Sequence, residues 1–153
     1  GADAPSDVDT FQRLKYSKPD EWSDLKGLYS YKGRVPEATK ADFQTYKKIK
    51  ATGIYGTVRV PAAKIDTSAL TLDVAHINER RHGVTQEEAV SYIKNAAFSL
   101  KRRHWTGETF LNYYSEEGAS YVRTSDNVIR TSFKKDEFDK KTKSAMEVLK
   151  NGK

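Results

Sequence analysis

The chemistry-bearing residues of this sequence gather in one stretch. All three histidines, His76, His82 and His104, fall between residues 76 and 104. The same stretch holds Arg80, Arg81, Lys94, Lys101, Arg102 and Arg103, against only Glu79, Glu87 and Glu88. Imidazole titrates near neutral pH and serves as a general acid or base. Guanidinium holds a phosphate through two parallel hydrogen bonds. Together these groups suit phosphodiester cleavage without a metal. RNA brings its own nucleophile, the 2′-hydroxyl, and the protein supplies a base, an acid and cations for the charge growing on phosphorus. In that reading His76 is the base or acid and His82 the second proton carrier. Arg80, Arg81 and Arg130 stabilise the phosphate. A plainer reading stands beside it: His76 bonds a backbone carbonyl at a strand end, His82 sits in a turn beside Gly83, and His104 sits at a hairpin tip before Trp105. For His104 the plainer reading is preferred. A zinc site in His76–His82 fits poorly, because histidines six residues apart match no common zinc spacing, and magnesium held by Asp73 and Glu79 is a minor alternative. No metal or cofactor is expected.

A second constellation lies on candidate strands. Tyr121 and Arg123 share one strand face, and Asn112 and Tyr114 another. In Asn127–Phe133, alternation places Ile129, Thr131 and Phe133 together, opposite Val128, Arg130 and Ser132. A sheet carrying Arg, Tyr, Asn, Ser and Thr on one face and a helix on the other can bind nucleic acid. The basic candidates for such a surface are Lys101, Arg102, Arg103, Arg123, Arg130 and Lys134. Tyr and Thr are also simply good strand formers. Lys134-Lys135 and Lys140-Lys141-Thr142-Lys143 read first as solvated surface, and second as sequence-independent phosphate contacts.

The elements that must position these residues follow from periodicity. Gly1–Asp9 is acidic and reads as a flexible lead-in, and Gly1–Thr10 has no secretory leader pattern. Residues 10–153 read as one domain: a helical and short-strand part, 10–69, and a second part, 70–150. A helix starts at Ser17-Lys18-Pro19-Asp20-Glu21, and a second spans Thr39–Thr52, ended by Gly53. Thr57–Val60 and Leu70–Leu72 are short strand candidates. Thr85-Gln86-Glu87-Glu88 has capping-box spacing, and Ala89, Tyr92, Ile93, Ala96 and Ala97 line one helical face. The period then changes to two over Phe98–Arg103, Thr109–Ser115, Ser120–Thr124 and Asn127–Phe133, with turn residues between. That pattern is an antiparallel meander. Asp136 is expected to cap a closing helix. The class is therefore α+β: N-terminal helices, a helix packed on a four-stranded antiparallel meander, and a C-terminal helix.

Composition narrows the chemistry further. The chain has no cysteine, so disulfides, thiolate zinc sites and thiol nucleophiles are excluded. No apolar run approaches the ~20 residues of a membrane span. A net charge of +6 favours polyanionic partners.

His76-Ile77-Asn78-Glu79-Arg80-Arg81-His82-Gly83-Val84-Thr85, Asn112-Tyr113-Tyr114-Ser115-Glu116-Glu117-Gly118-Ala119 and Ile129-Arg130-Thr131-Ser132-Phe133 together carry a family resemblance. They resemble C-terminal domains of phage minor head proteins and prophage-associated toxins of low-GC Gram-positive bacteria. Those domains look like the phage branch of the barnase, EndoU, colicin and RelE nuclease superfamily. The resemblance covers about residues 70–150. It implies a metal-independent RNase acting in the bacterial cytoplasm, within a larger phage or toxin polypeptide. The site it implies matches His76, Arg80 or Arg81, His82, Tyr114 and Thr131. An acidic immunity protein is the partner it implies besides RNA. Two alternatives remain. One is a non-catalytic nucleic-acid-binding or structural module of a phage head. The other is an ADP-ribosyltransferase, against which the sequence speaks, since no Glu-x-Glu follows a Ser-Thr-Ser strand.

Overall fold

In the computed structural model the described residues are 37–60, 62–73 and 83–151. The lead-in, the helix expected after Ser17 and the stretch His76–His82 lie outside them. The elements in chain order are α1 (Glu37–Ala51), β1 (Thr57–Arg59), β2 (Thr71–Leu72), α2 (Gln86–Lys94), β3 (Phe98–Arg103), β4 (Thr109–Tyr114), β5 (Gly118–Arg123), β6 (Val128–Lys134) and α3 (Lys140–Asn151). The α+β class is as expected. The sheet has six strands, not four, in the order β1-β3-β4-β5-β6-β2. The four central strands form the expected meander. The two additions are the short candidates: β1 joins β3 antiparallel and β2 joins β6 parallel.

Helices cover both faces of the sheet, which corrects the expectation of one open polar face. On one face, Tyr46 and Ile49 of α1 and Ala145 of α3 pack on Val58, Phe98, Leu100, Tyr114 and Ala119. On the other, Ala89, Tyr92 and Ile93 of α2 pack on Tyr113, Val122 and Ile129, joined by Leu70 and Val84. Two apolar faces need two covers, because an apolar sheet face left in water forgoes ~25 cal/mol per Å². α2 starts as its sequence requires. Thr85 Oγ1 accepts from Glu88 N–H, and Glu88 Oε1 accepts from Thr85 N–H, both at 3.1 Å.

Two local readings are corrected. Val122 pairs with Ile129 while the adjacent Tyr121 pairs with Thr131, so Arg130 is the extra residue of a β-bulge. The bulge reverses the alternation. Ile129 joins Val122 and Ser132 on the α2 side, while Thr131 and Phe133 stay on the α1/α3 side. Asp139, not Asp136, caps α3: its Oδ1 accepts from Thr142 N–H at 2.8 Å. Asp136 lies in a 3-10 turn, Lys135–Glu137, that precedes the cap.

Candidate nucleic-acid interface

β3 begins in the core and ends outside it. Phe98, Ser99 and Leu100 are buried; Lys101 and Arg103 are exposed and Arg102 is half-buried. Beside this cationic half lies the loop after α1. Gly53, at φ +81°, ends the helix, and its N–H donates to Lys50 O at 3.0 Å. Lys50 Nζ donates to Gly56 O at 3.3 Å, and Arg102 Nε donates to Tyr55 O at 2.7 Å. The result is a cleft of about 700 Å³ lined by Lys50, Lys101, Arg102, Arg103 and Lys141, with Tyr55 and Thr57. A second cleft of about 510 Å³ shares Thr57 and Lys101 and adds Arg59 and Lys64. Among the described residues, no Asp or Glu lines either cleft. Asp139 stands near the first. Its carboxyl is held below the usual range chiefly by the Thr142 backbone N–H, with smaller help from Arg102 and Lys141.

The candidate residues separate into groups. Lys101, Arg102 and Arg103 come together at the cleft. Arg123 is turned to Asp126, through a 2.8 Å contact, and to Glu108 at 3.7 Å. Arg130 is paired with Asp73. Those two guanidiniums are already matched by carboxylates. Lys134 is exposed at the far end of β6. Tyr114 is in the core, 1% exposed, with its ring stacked on Phe98 at 5.1 Å and its hydroxyl 3.0 Å from that of Tyr121. Burial pushes both tyrosines up. Thr131 is half-buried opposite Tyr121. His104 sits in the β3–β4 turn, where its N–H donates to Glu108 O at 2.7 Å and its ring contacts Thr106 and Phe110.

The stretch that carries His76, Arg80, Arg81 and His82 lies outside the described residues. Its flanking residue Asp73 follows β2 and donates its N–H to Ile129 O at 3.0 Å. β2 is the sheet edge opposite β1, five strand spacings away, or about 24 Å at ~4.8 Å per spacing. Comparisons with protein-family models, curated proteins and solved structures found no match.

Sequence reasoning missed Lys50, Tyr55, Arg59 and Lys64 as site residues. Lys141 was visible only as part of a basic run. No local signal marks them, because β1–β3 pairing joins residues 57–59 to residues 99–101. Among the described residues, no helix is long and apolar enough to cross a membrane.

Proposed function

We propose that this chain is an RNA-binding domain that grips the phosphate backbone in the two clefts beside β1. The observation that carries the reading is their lining: lysines and arginines from α1, β1, β3 and α3, with no carboxylate among the described lining residues. Cations brought to two adjoining clefts from four separate elements match a chain of phosphates, each of which releases a counterion when neutralised. RNA is preferred over DNA on the family resemblance.

The second reading adds catalysis: a metal-independent endoribonuclease in which His76 and His82 move protons. What favours it is the concentration of His76, Arg80, Arg81 and His82 in the sequence, together with the antiparallel meander that the family resemblance implies. In this reading the clefts hold the strand while His76 and His82 move the protons. An acidic immunity protein would then compete with RNA for the cationic surface.

One experiment separates the readings. Labelled RNA is incubated with the chain in EDTA, then assayed for retention and for chain scission. Retention by the wild type that weakens in Lys101→Ala and Arg103→Ala supports the binding reading. Scission that is lost in His76→Ala or His82→Ala, with retention kept, adds catalysis. Finding neither retention nor scission at low salt would refute both.

A further inference from the structure

Tyr55 is 70% exposed in the wall of the larger cleft. An exposed aromatic ring is by itself ordinary. This one is held in place. Its carbonyl oxygen accepts from Arg102 Nε at 2.7 Å, and the Arg102 guanidinium carbon lies 5.9 Å from its ring centroid. The next carbonyl, of Gly56, accepts from Lys50. Gly56 sits at φ +121°, and a Cβ there would lie 3.0 Å from Arg102 Cγ and 3.1 Å from Lys101 O. Only glycine lets the loop lie this close to β3. The ring is therefore carried by a loop whose backbone is clamped from two elements, which lowers the ordering cost on binding.

We infer that Tyr55 is a stacking platform for a nucleobase, so the occupant of the cleft is single-stranded RNA. The inference rests on the RNA-binding reading and names its substrate class. Lysine and arginine neutralise phosphates and are indifferent to strandedness. A planar ring among them is not. In a duplex each base face is covered by its neighbours, and only base edges and backbone are on offer. In a single strand an unstacked base presents its face, and aromatic side chains stack on it regardless of sequence. The guanidinium on Tyr55 adds a cation beside the same π-surface. A second exposed aromatic, Trp105, 89% exposed, lies three residues beyond Arg102 in the β3–β4 turn.

The test is fluorescence anisotropy with a dye-labelled oligouridylate of about 12 nucleotides, an abasic strand of equal length and an RNA duplex of equal length. The base-bearing single strand should bind at least about tenfold tighter than either of the others. Tyr55→Ala should weaken it by about fivefold or more, the low end of one base–aromatic stack. Tyr55→Phe should retain it. The salt dependence should be unchanged in Tyr55→Ala, because no charge is lost. Thermal melting of each variant checks that the fold is intact. Equal binding of the duplex or the abasic strand, or wild-type affinity in Tyr55→Ala, overturns the inference. If the wild type binds none of the three, the RNA-binding reading falls with it. If all three bind equally and only Lys101→Ala and Arg103→Ala matter, this inference alone is refuted.

Discussion

Gly118→Ala is the sharpest test of how the α2 layer meets the sheet. Gly118 opens β5 directly beneath Tyr92 of α2. A Cβ there would lie 2.4 and 2.5 Å from Tyr92 Cε2 and Cζ, and 2.6 Å from Phe133 O. Ordinary carbon contacts are ~3.5–4.0 Å, so the overlap is more than an ångström at two ring atoms. Neither neighbour yields easily. Tyr92 is 4% exposed among Ala89, Ile93 and Val122, and Phe133 O belongs to the backbone of β6. Small-to-large changes in packed cores cost ~1–3 kcal/mol and sometimes more; clashing with a ring and a backbone at once places this one near ~3 kcal/mol. For a chain of this size that is a fall of about 10 °C in Tm. The assay is thermal and urea unfolding of the single variant, of Tyr92→Leu and of the double variant. Adding Gly118→Ala to Tyr92→Leu should cost less than adding it to the wild type, because the ring clash is gone while the 2.6 Å approach to Phe133 O remains. A Gly118→Ala melting within about 2 °C of the wild type would refute the close approach of α2 to β5.

Three further predictions concern buried polar groups and pH. The Tyr113 hydroxyl is buried with no hydrogen-bond partner among the described residues, and burial pushes it up to about 12. Tyr113→Phe should be neutral or stabilising by up to ~1 kcal/mol in urea unfolding. Ser120→Ala should instead cost ~1–2 kcal/mol, because Ser120 Oγ donates to Ala89 O at 2.7 Å and meets Ser132 Oγ at 2.9 Å. Asp139→Ala should cost ~1 kcal/mol as a lost helix cap. Because the Asp139 carboxyl is depressed in the folded state, its stabilisation is full above the unfolded value of ~3.9. It is lost as pH falls through the lower folded value, so the gap between the wild type and Asp139→Ala should close below about pH 4. A gap that widens there would contradict the cap.

Much of the fold was legible because its signals are local. The period-two runs gave the meander strands to within about two residues, since alternation is a property of the strand itself. The Thr85/Glu88 pair placed the start of α2 for the same reason. What failed depends on distant partners. The bulge at Arg130 turns Ile129 to the α2 side, and no strand reveals its own bulge without its neighbour's register. Asp136 and Asp139 both have the chemistry of a cap, and the 3-10 turn at Lys135–Glu137 assigns it to Asp139. Tyr114 looked like a functional hydroxyl, yet its position between Phe98 and Phe138 makes it core. The cationic clefts arise only once β1 pairs with β3, which brings Lys50 and Tyr55 to Lys101, Arg102 and Arg103.

The most direct test of the central claim is the salt dependence of single-stranded RNA binding by the wild type and by Lys50→Ala/Lys101→Ala/Lys141→Ala. Each phosphate contact contributes ~0.7 to the slope of log affinity against log salt. If the clefts hold the backbone, the triple variant should bind more weakly at every salt concentration, with a slope shallower by about 2. An unchanged slope and affinity in a variant that melts like the wild type would contradict the account.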